Sequence, residues 1–144
     1  MRLWHIDLIP YLPKGQLLAQ WRELNSIFKK QDNHILINYV YNYPKSYLKN
    51  YAIKVKNEMY RRGYGINSFI NYDNYFNHTA PMGTADYCFV IAQGNERFEE
   101  HNNEYLTICY YNLKEKYLRG QKDFTQETWN KLVNFYFNYK NCII

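Results

Sequence analysis

Leu17-Leu18-Ala19-Gln20-Trp21-Arg22-Glu23-Leu24, continuing into Asn25-Ser26-Ile27-Phe28, is the stretch on which the reading of this chain turns. Leu17, Trp21, Leu24 and Phe28 recur at steps of four, three and four residues, which stacks them on one stripe of an α-helix. Pro13 and Gly15 stand just ahead of the stripe and Lys29-Lys30 close it, so the spacing predicts a helix over 15–30. At about 100° per residue, Glu23 falls well away from the apolar stripe, on a side shared with Gln16, Ala19 and Ser26. A carboxylate there is either a solvated surface group or the acid of a site, and periodicity alone leaves both readings open. The closing lysines likewise read either as cations favoured at a helix C-terminus or as phosphate contacts.

Working outward, residues 1–14 are apolar, with Pro10 and Pro13, and read as a segment packed into the fold through Trp4, Ile6, Leu8 and Leu12. A second helix is expected over 45–62, with Leu48, Ala52, Val55 and Met59 as its stripe and Gly63 as its C-cap. Lys49, Lys54, Lys56, Arg61 and Arg62, interleaved with Tyr47, Tyr51 and Tyr60, make either a solvated basic face or the lining of a nucleic-acid groove. Residues 34–44 fit a short strand or a buried helix equally, and His34 reads as structural or as a site histidine. Residues 63–100 read as loops and short helical turns, with a short buried element over 85–92. Glu96, Glu99 and Glu100 read as the start of the next helix. A third helix over 101–119 turns Leu106, Cys109, Tyr110 and Leu113 inward. A fourth, capped by Asp123 or Thr125, turns in Trp129, Leu132, Val133 and Tyr136.

The fold class that follows is mainly α. The expected architecture is a compact single-domain bundle of about three to four helices over 1–144, with the N-terminal segment packed into it. The net charge of +5 makes a polyanion such as nucleic acid a plausible partner. Aromatic residues make up 19% of the chain, 17 of them Tyr, which fits either base-stacking platforms or a compositional bias shared with Asn, Lys and Ile. The three cysteines, Cys88, Cys109 and Cys142, are widely spaced and form no metal-ligand pattern, so reduced thiols and no zinc site are expected. No GxGxxG and no P-loop is read, and no metal or organic cofactor is expected. No secretory leader and no apolar run long enough for a membrane span is read, so a cytoplasmic, monomeric protein with no membrane partner is expected.

Met1-Arg2-Leu3 together with Gln16-Leu17-Leu18-Ala19-Gln20-Trp21-Arg22-Glu23-Leu24 resembles the pyrimidine-dimer DNA glycosylase family. That family begins Thr-Arg-Ile and carries His-Leu-Met-Ala-Glu-Tyr-Arg-Glu-Leu on its first long helix. Met59-Tyr60-Arg61-Arg62-Gly63-Tyr64-Gly65-Ile66 is similar to the family's basic helix end, Leu-Lys-Arg-Gly-Phe-Asn-Ile. The resemblance is closest over 1–30, looser over 34–66 and faint beyond, and over 34–44 it favours packed helix or loop.

The resemblance implies a DNA repair glycosylase with a coupled abasic-site lyase, acting on pyrimidine dimers in double-stranded DNA. Its nucleophile would be the chain's own α-amine on Met1, which Arg2 protects from removal of the initiator residue. Glu23 would be the catalytic carboxylate. Arg2 and Arg22 match the family's phosphate- and lesion-holding arginines, and Gln16 falls near its lesion-contacting pair. Lys29, Lys30, Arg61 and Arg62 would complete the nucleic-acid-binding set. Ser26 stands where the family has an arginine, and Gln16 where it has a histidine, so lesion preference is the property most open to change. Two other readings of the same residues are a non-catalytic DNA-binding protein on this scaffold and an enzyme or binder for a nucleotide or small anion with Arg22 and Glu23 in a pocket.

Overall fold

The apolar stripe of residues 17–28 folds as expected. In a computed structural model, which describes residues 2–77 and 96–142, helix α1 spans Lys14–Lys29 and buries Leu17, Trp21, Leu24, Ile27 and Phe28. Helices α2 (Lys45–Arg61), α3 (Ile70–Phe76), α4 (Asn103–Leu118) and α5 (Gln126–Cys142) follow. No strand occurs among the described residues. The mainly α reading therefore holds, with four long α-helices and one short one among the described residues.

Helix α1 packs on α2 and α3, and Leu48, Ala52, Val55 and Met59 of α2 are buried as their spacing requires. Fully burying one such aliphatic side chain stabilises the fold by about 1.5–3 kcal/mol. Helix α2 ends in a Schellman turn. Gly63, at φ 87°, donates to the Tyr60 carbonyl at 3.0 Å, and Tyr64 donates to that of Met59 at 2.9 Å. Helix α4 ends the same way at Gly120, with φ 84°. Helices α4 and α5 meet through stacked aromatic rings, Tyr110 on Tyr136 at 3.9 Å between centroids. That contact and others like it place many of the tyrosines in packing.

The N-terminal segment is packed in, and Leu3, Leu8 and Leu12 are fully buried. Its residues Ile6–Tyr11 coil into a 3₁₀ helix, which the sequence reading did not separate out, lying against α2 and α5. Several expectations are corrected. Residues 34–44 form neither the strand nor the buried helix that periodicity left open, and take the loop form that the resemblance also allowed. They hold a 3₁₀ turn, Asn38–Asn42, with only Ile37 and Val40 buried and Ile35 left 82% exposed. Glu96, Glu99 and Glu100 do not start α4, which begins at Asn103 with the Asn102 side chain accepting from the Tyr105 N–H. Instead Glu100 accepts from the Tyr43 hydroxyl, and Asn50 donates to the Glu96 carbonyl. Of the two residues considered for capping α5, Thr125 does so, its hydroxyl accepting from Thr128 N–H at 3.2 Å. Asp123 turns the other way and accepts from Gly15 N–H, answering an otherwise unpaired donor in the first turn of α1. Met1, Cys88 and the element expected over 85–92 lie outside the described residues, as does the side chain of Cys142.

Candidate active site around Glu23

Glu23 is half-buried on α1, one turn below the point where the N-terminal segment crosses the helix. The crossing is organised by Gln20, which occupies a position within the apolar stripe, three residues after Leu17 and four before Leu24, and is fully buried. Its Nε2 donates to the Arg2 carbonyl and to Glu23 Oε2, each at 3.1 Å. Its Oε1 accepts from Trp4 N–H at 2.8 Å and faces the Tyr51 hydroxyl at 3.0 Å. The orientation of the carboxamide is dictated by these partners. Trp4 N–H needs an acceptor, and the Arg2 carbonyl and Glu23 carboxylate need donors.

Other side chains take up the rest of the segment's backbone. The Tyr51 hydroxyl reaches the Trp4 carbonyl at 2.6 Å, the Tyr105 hydroxyl donates to the Leu3 carbonyl, and His101 Nδ1 accepts from Ile6 N–H at 3.0 Å. Residues 2–6 are thus held by side chains from α1, α2, α4 and the turn before α4. Burial pushes the tyrosine hydroxyls of Tyr39, Tyr51 and Tyr105 far above their ordinary range, so they act as neutral donors. Burial also pushes His101 down to about 3, which keeps it the neutral acceptor that Ile6 requires. Its Nε2 lies 2.8 Å from the Tyr39 hydroxyl.

Desolvation raises the Glu23 carboxyl above the usual carboxylate range. Nearby positive charge, Arg22's included, opposes the shift, as do hydrogen bonds from the Gln20 side chain and the Arg2 backbone N–H. A partly desolvated carboxylate beside the start of the chain can stabilise developing positive charge and exchange protons with a bound reactant.

The remaining predicted residues are scattered over several places. The Arg2 guanidinium lies 5.7 Å over the Trp4 ring, beside Tyr105 and Cys109. Arg22 and Lys29 are exposed along one edge of α1 and line a cleft of about 580 Å³ with Trp21, Ser26, Asn67 and Asn71. Lys30 is exposed just past the helix end. Gln16 lies seven residues before Glu23, about 10 Å along the helix axis. Its Oε1 accepts from Gln121 at 2.6 Å, on the side of Asp123.

The structure does not bring Arg61 and Arg62 to Glu23. Both pair with the buried Glu58, and Arg62 also donates to the carbonyls of Leu12 and Pro10. Arg62 is therefore a packing residue. Among the tyrosines considered for a groove, Tyr51 is fully buried, and Lys56, considered part of the basic face, is 3% exposed. His34 is exposed and accepts from its neighbour Leu36 N–H, a local turn contact. No group of three or more potential metal ligands occurs among the described residues. No helix among them is long and apolar enough to cross a membrane.

Sequence reading singled out Glu23, Arg22 and Arg2 but not Gln20, Tyr51, Tyr105 and His101 as partners of the N-terminal segment. A signal for Gln20 was present. An amide inside an apolar helical stripe must find partners when buried.

A family model described as pyrimidine dimer DNA glycosylase matches residues 1–72, half of the chain. No curated protein and no solved structure matches.

Proposed function

The chain belongs to the pyrimidine dimer DNA glycosylase family, and on that basis we propose that it removes a damaged pyrimidine from double-stranded DNA and cleaves the resulting abasic site, with the α-amine of Met1 as nucleophile. The observation that supports this most is the attachment of Glu23 to the start of the chain, through Gln20 and the Arg2 backbone N–H. Bond lengths alone keep the nitrogen of residue 1 within about 4 Å of Arg2 N. Glu23 is the one carboxylate on α1, and we pair it with that amine.

An α-amine titrates near about 7.7–8.0, so a useful fraction is neutral at neutral pH. Its lone pair attacks C1′ of the damaged nucleotide as the glycosidic C–N bond breaks, and the base leaves that sugar while staying joined to its dimer partner through the cyclobutane ring. Glu23, ionised, stabilises the positive charge that develops at the sugar. Opening of the sugar ring gives an imine, which acidifies the C2′ proton. Removal of that proton, for which Glu23 is the available base, expels the 3′ phosphate by β-elimination. Water then hydrolyses the imine and restores the amine. Reaching C1′ within a duplex requires the DNA to be distorted. Arg2, Arg22, Lys29 and Lys30 are the cations proposed to hold phosphates while that happens. Arg61 is exposed and remains a peripheral candidate, whereas Gln16 would act at the margin of the lesion.

Borohydride trapping on one duplex carrying a cyclobutane dimer and another carrying an abasic site tests this reading. A covalent adduct that maps to residue 1 on both duplexes is the expected result. Absence of an adduct on either, with the amine unblocked, would replace it with a DNA-binding role.

A further inference from the structure

Gln20 carries a role beyond packing. It is fully buried, and four groups from three different segments converge on its carboxamide. We infer that Gln20 is the positioning residue of the reaction. By donating at 3.1 Å both to the Arg2 carbonyl and to Glu23 Oε2, it fixes where the N-terminal amine stands relative to the carboxylate. This rests on the reading of Met1 and Glu23 as the reacting pair.

The chemistry of the carboxamide suits this task. Only a side chain with two donors and an acceptor on one rigid plane can join a carbonyl, a carboxylate and a peptide N–H at once. It does so without adding a charge. At this position the family pattern quoted above has a glutamate, which when ionised accepts only, so the double donation seen here belongs to the amide. Tyr51 backs the group from α2, and through the Trp4 backbone it restrains the same stretch of chain. Among the described residues, the charged groups around the site include Glu23 itself, Arg22 on α1, and Arg2 with its guanidinium over Trp4.

The test uses the full-length protein and two variants. Its first readout needs no DNA. Reductive methylation of the α-amine is followed by peptide mapping across the amine's titration. Its second readout is the rate of borohydride-trapped adduct formation on an abasic duplex, with affinity measured separately on an uncleavable duplex. Gln20→Glu keeps the shape but faces Glu23 with a second carboxylate. Its amine should titrate about one pH unit higher than in the wild type, and the acid limb of strand cleavage should move with it. Gln20→Met keeps the volume but makes none of the four bonds. It should form adduct about 10²-fold more slowly at unchanged DNA affinity, since a displacement of about 1 Å is sufficient for such a loss.

A residue that only packs would lower Tm and leave both the amine titration and the adduct rate of the folded molecules at wild-type values, and that result overturns the inference. If Gln20→Met does not fold, the isosteric Gln20→Glu decides by its adduct rate above the amine's titration, where the added charge no longer sets the neutral fraction. A rate below the wild type supports the inference, and an unchanged rate overturns it. If the wild type itself forms no adduct, the functional reading fails, while the amine titration still shows whether Gln20 governs the terminus.

Discussion

Arg62 Nη1 meets the Leu12 carbonyl at 2.7 Å across fifty positions of sequence, and Nη2 meets the Pro10 carbonyl at 2.9 Å. The same guanidinium holds Glu58 through Nε at 2.6 Å. These bonds tie the N-terminal 3₁₀ helix to the end of α2. Arg62→Ala should destabilise the fold by about 2–4 kcal/mol, because it leaves two backbone acceptors and part of a buried carboxylate without donors. Arg61→Ala should have a much smaller effect, since Arg61 is exposed and shares only Glu58. Urea unfolding of both variants checks the order.

Arg22 should behave in the opposite way. It is exposed at the edge of a cleft and carries no packing role. Arg22→Ala should leave unfolding unchanged and reduce the slope of log affinity against log salt for duplex DNA by about one. Arg62→Ala should leave that slope as it is. Equal slopes for Arg22→Ala and the wild type would remove Arg22 from the phosphate-binding set.

Glu23→Gln keeps an acceptor for the Gln20 amide while removing the charge. Single-turnover base release should fall by about 10²–10⁴-fold with duplex affinity little changed. Retained glycosylase activity would take Glu23 out of the mechanism.

The same substitution should also raise stability at neutral pH. Desolvation raises the Glu23 carboxyl above its unfolded value, so the folded state binds the extra proton between the two values. Folding is favoured while the pH is low enough for Glu23 to be protonated, and that advantage is lost as the pH rises through the folded value. A neutral glutamine avoids the loss, so Tm at pH 7 should be higher in Glu23→Gln and the difference should vanish in acid. A group retained for chemistry often carries such a penalty.

His101 gives the opposite pH dependence. Burial pushes it down to about 3 from 6.5, so only the unfolded chain takes up a proton in the interval. Its contribution to stability is complete above 6.5 and is lost as the pH falls towards 3, by about 1.4 kcal/mol per unit. His101→Asn, which can still accept from Ile6 N–H, should flatten this part of the acid limb of stability. Some slope should remain from His5, whose imidazole burial also pushes down. An unchanged limb would place the acid sensitivity elsewhere.

The parts of the fold that were legible in sequence are those set by local periodicity. Leu17, Trp21, Leu24 and Phe28 marked α1, and Gly63 marked the end of α2, because each signal lies within about three helical turns. Residues 34–44 misled because their apolar content does not translate into burial. Ile35 and Leu36 stay exposed on this turn. Asp123 was readable as a cap but not as the cap of α1, since its target, Gly15, lies 108 positions away. The site divides in the same manner. Glu23 and Arg22 could be found from one helix, whereas Gln20 acquires its meaning from Arg2, Trp4 and Tyr51, which only the folded chain brings to it.

The family match ends at residue 72, yet two of the side chains that hold the N-terminal backbone, Tyr105 and His101, lie beyond it. A protein engineer who grafted the first half of this chain onto another C-terminal half would transplant the carboxylate and its amide intact. The graft would nonetheless leave the Leu3 carbonyl and the Ile6 N–H with no answering group, and the leading residues would be free to swing. Exchange of modules in this fold therefore has a rule. The incoming half must bring a hydroxyl for Leu3 and an acceptor for Ile6, whatever else it changes about how the protein meets DNA.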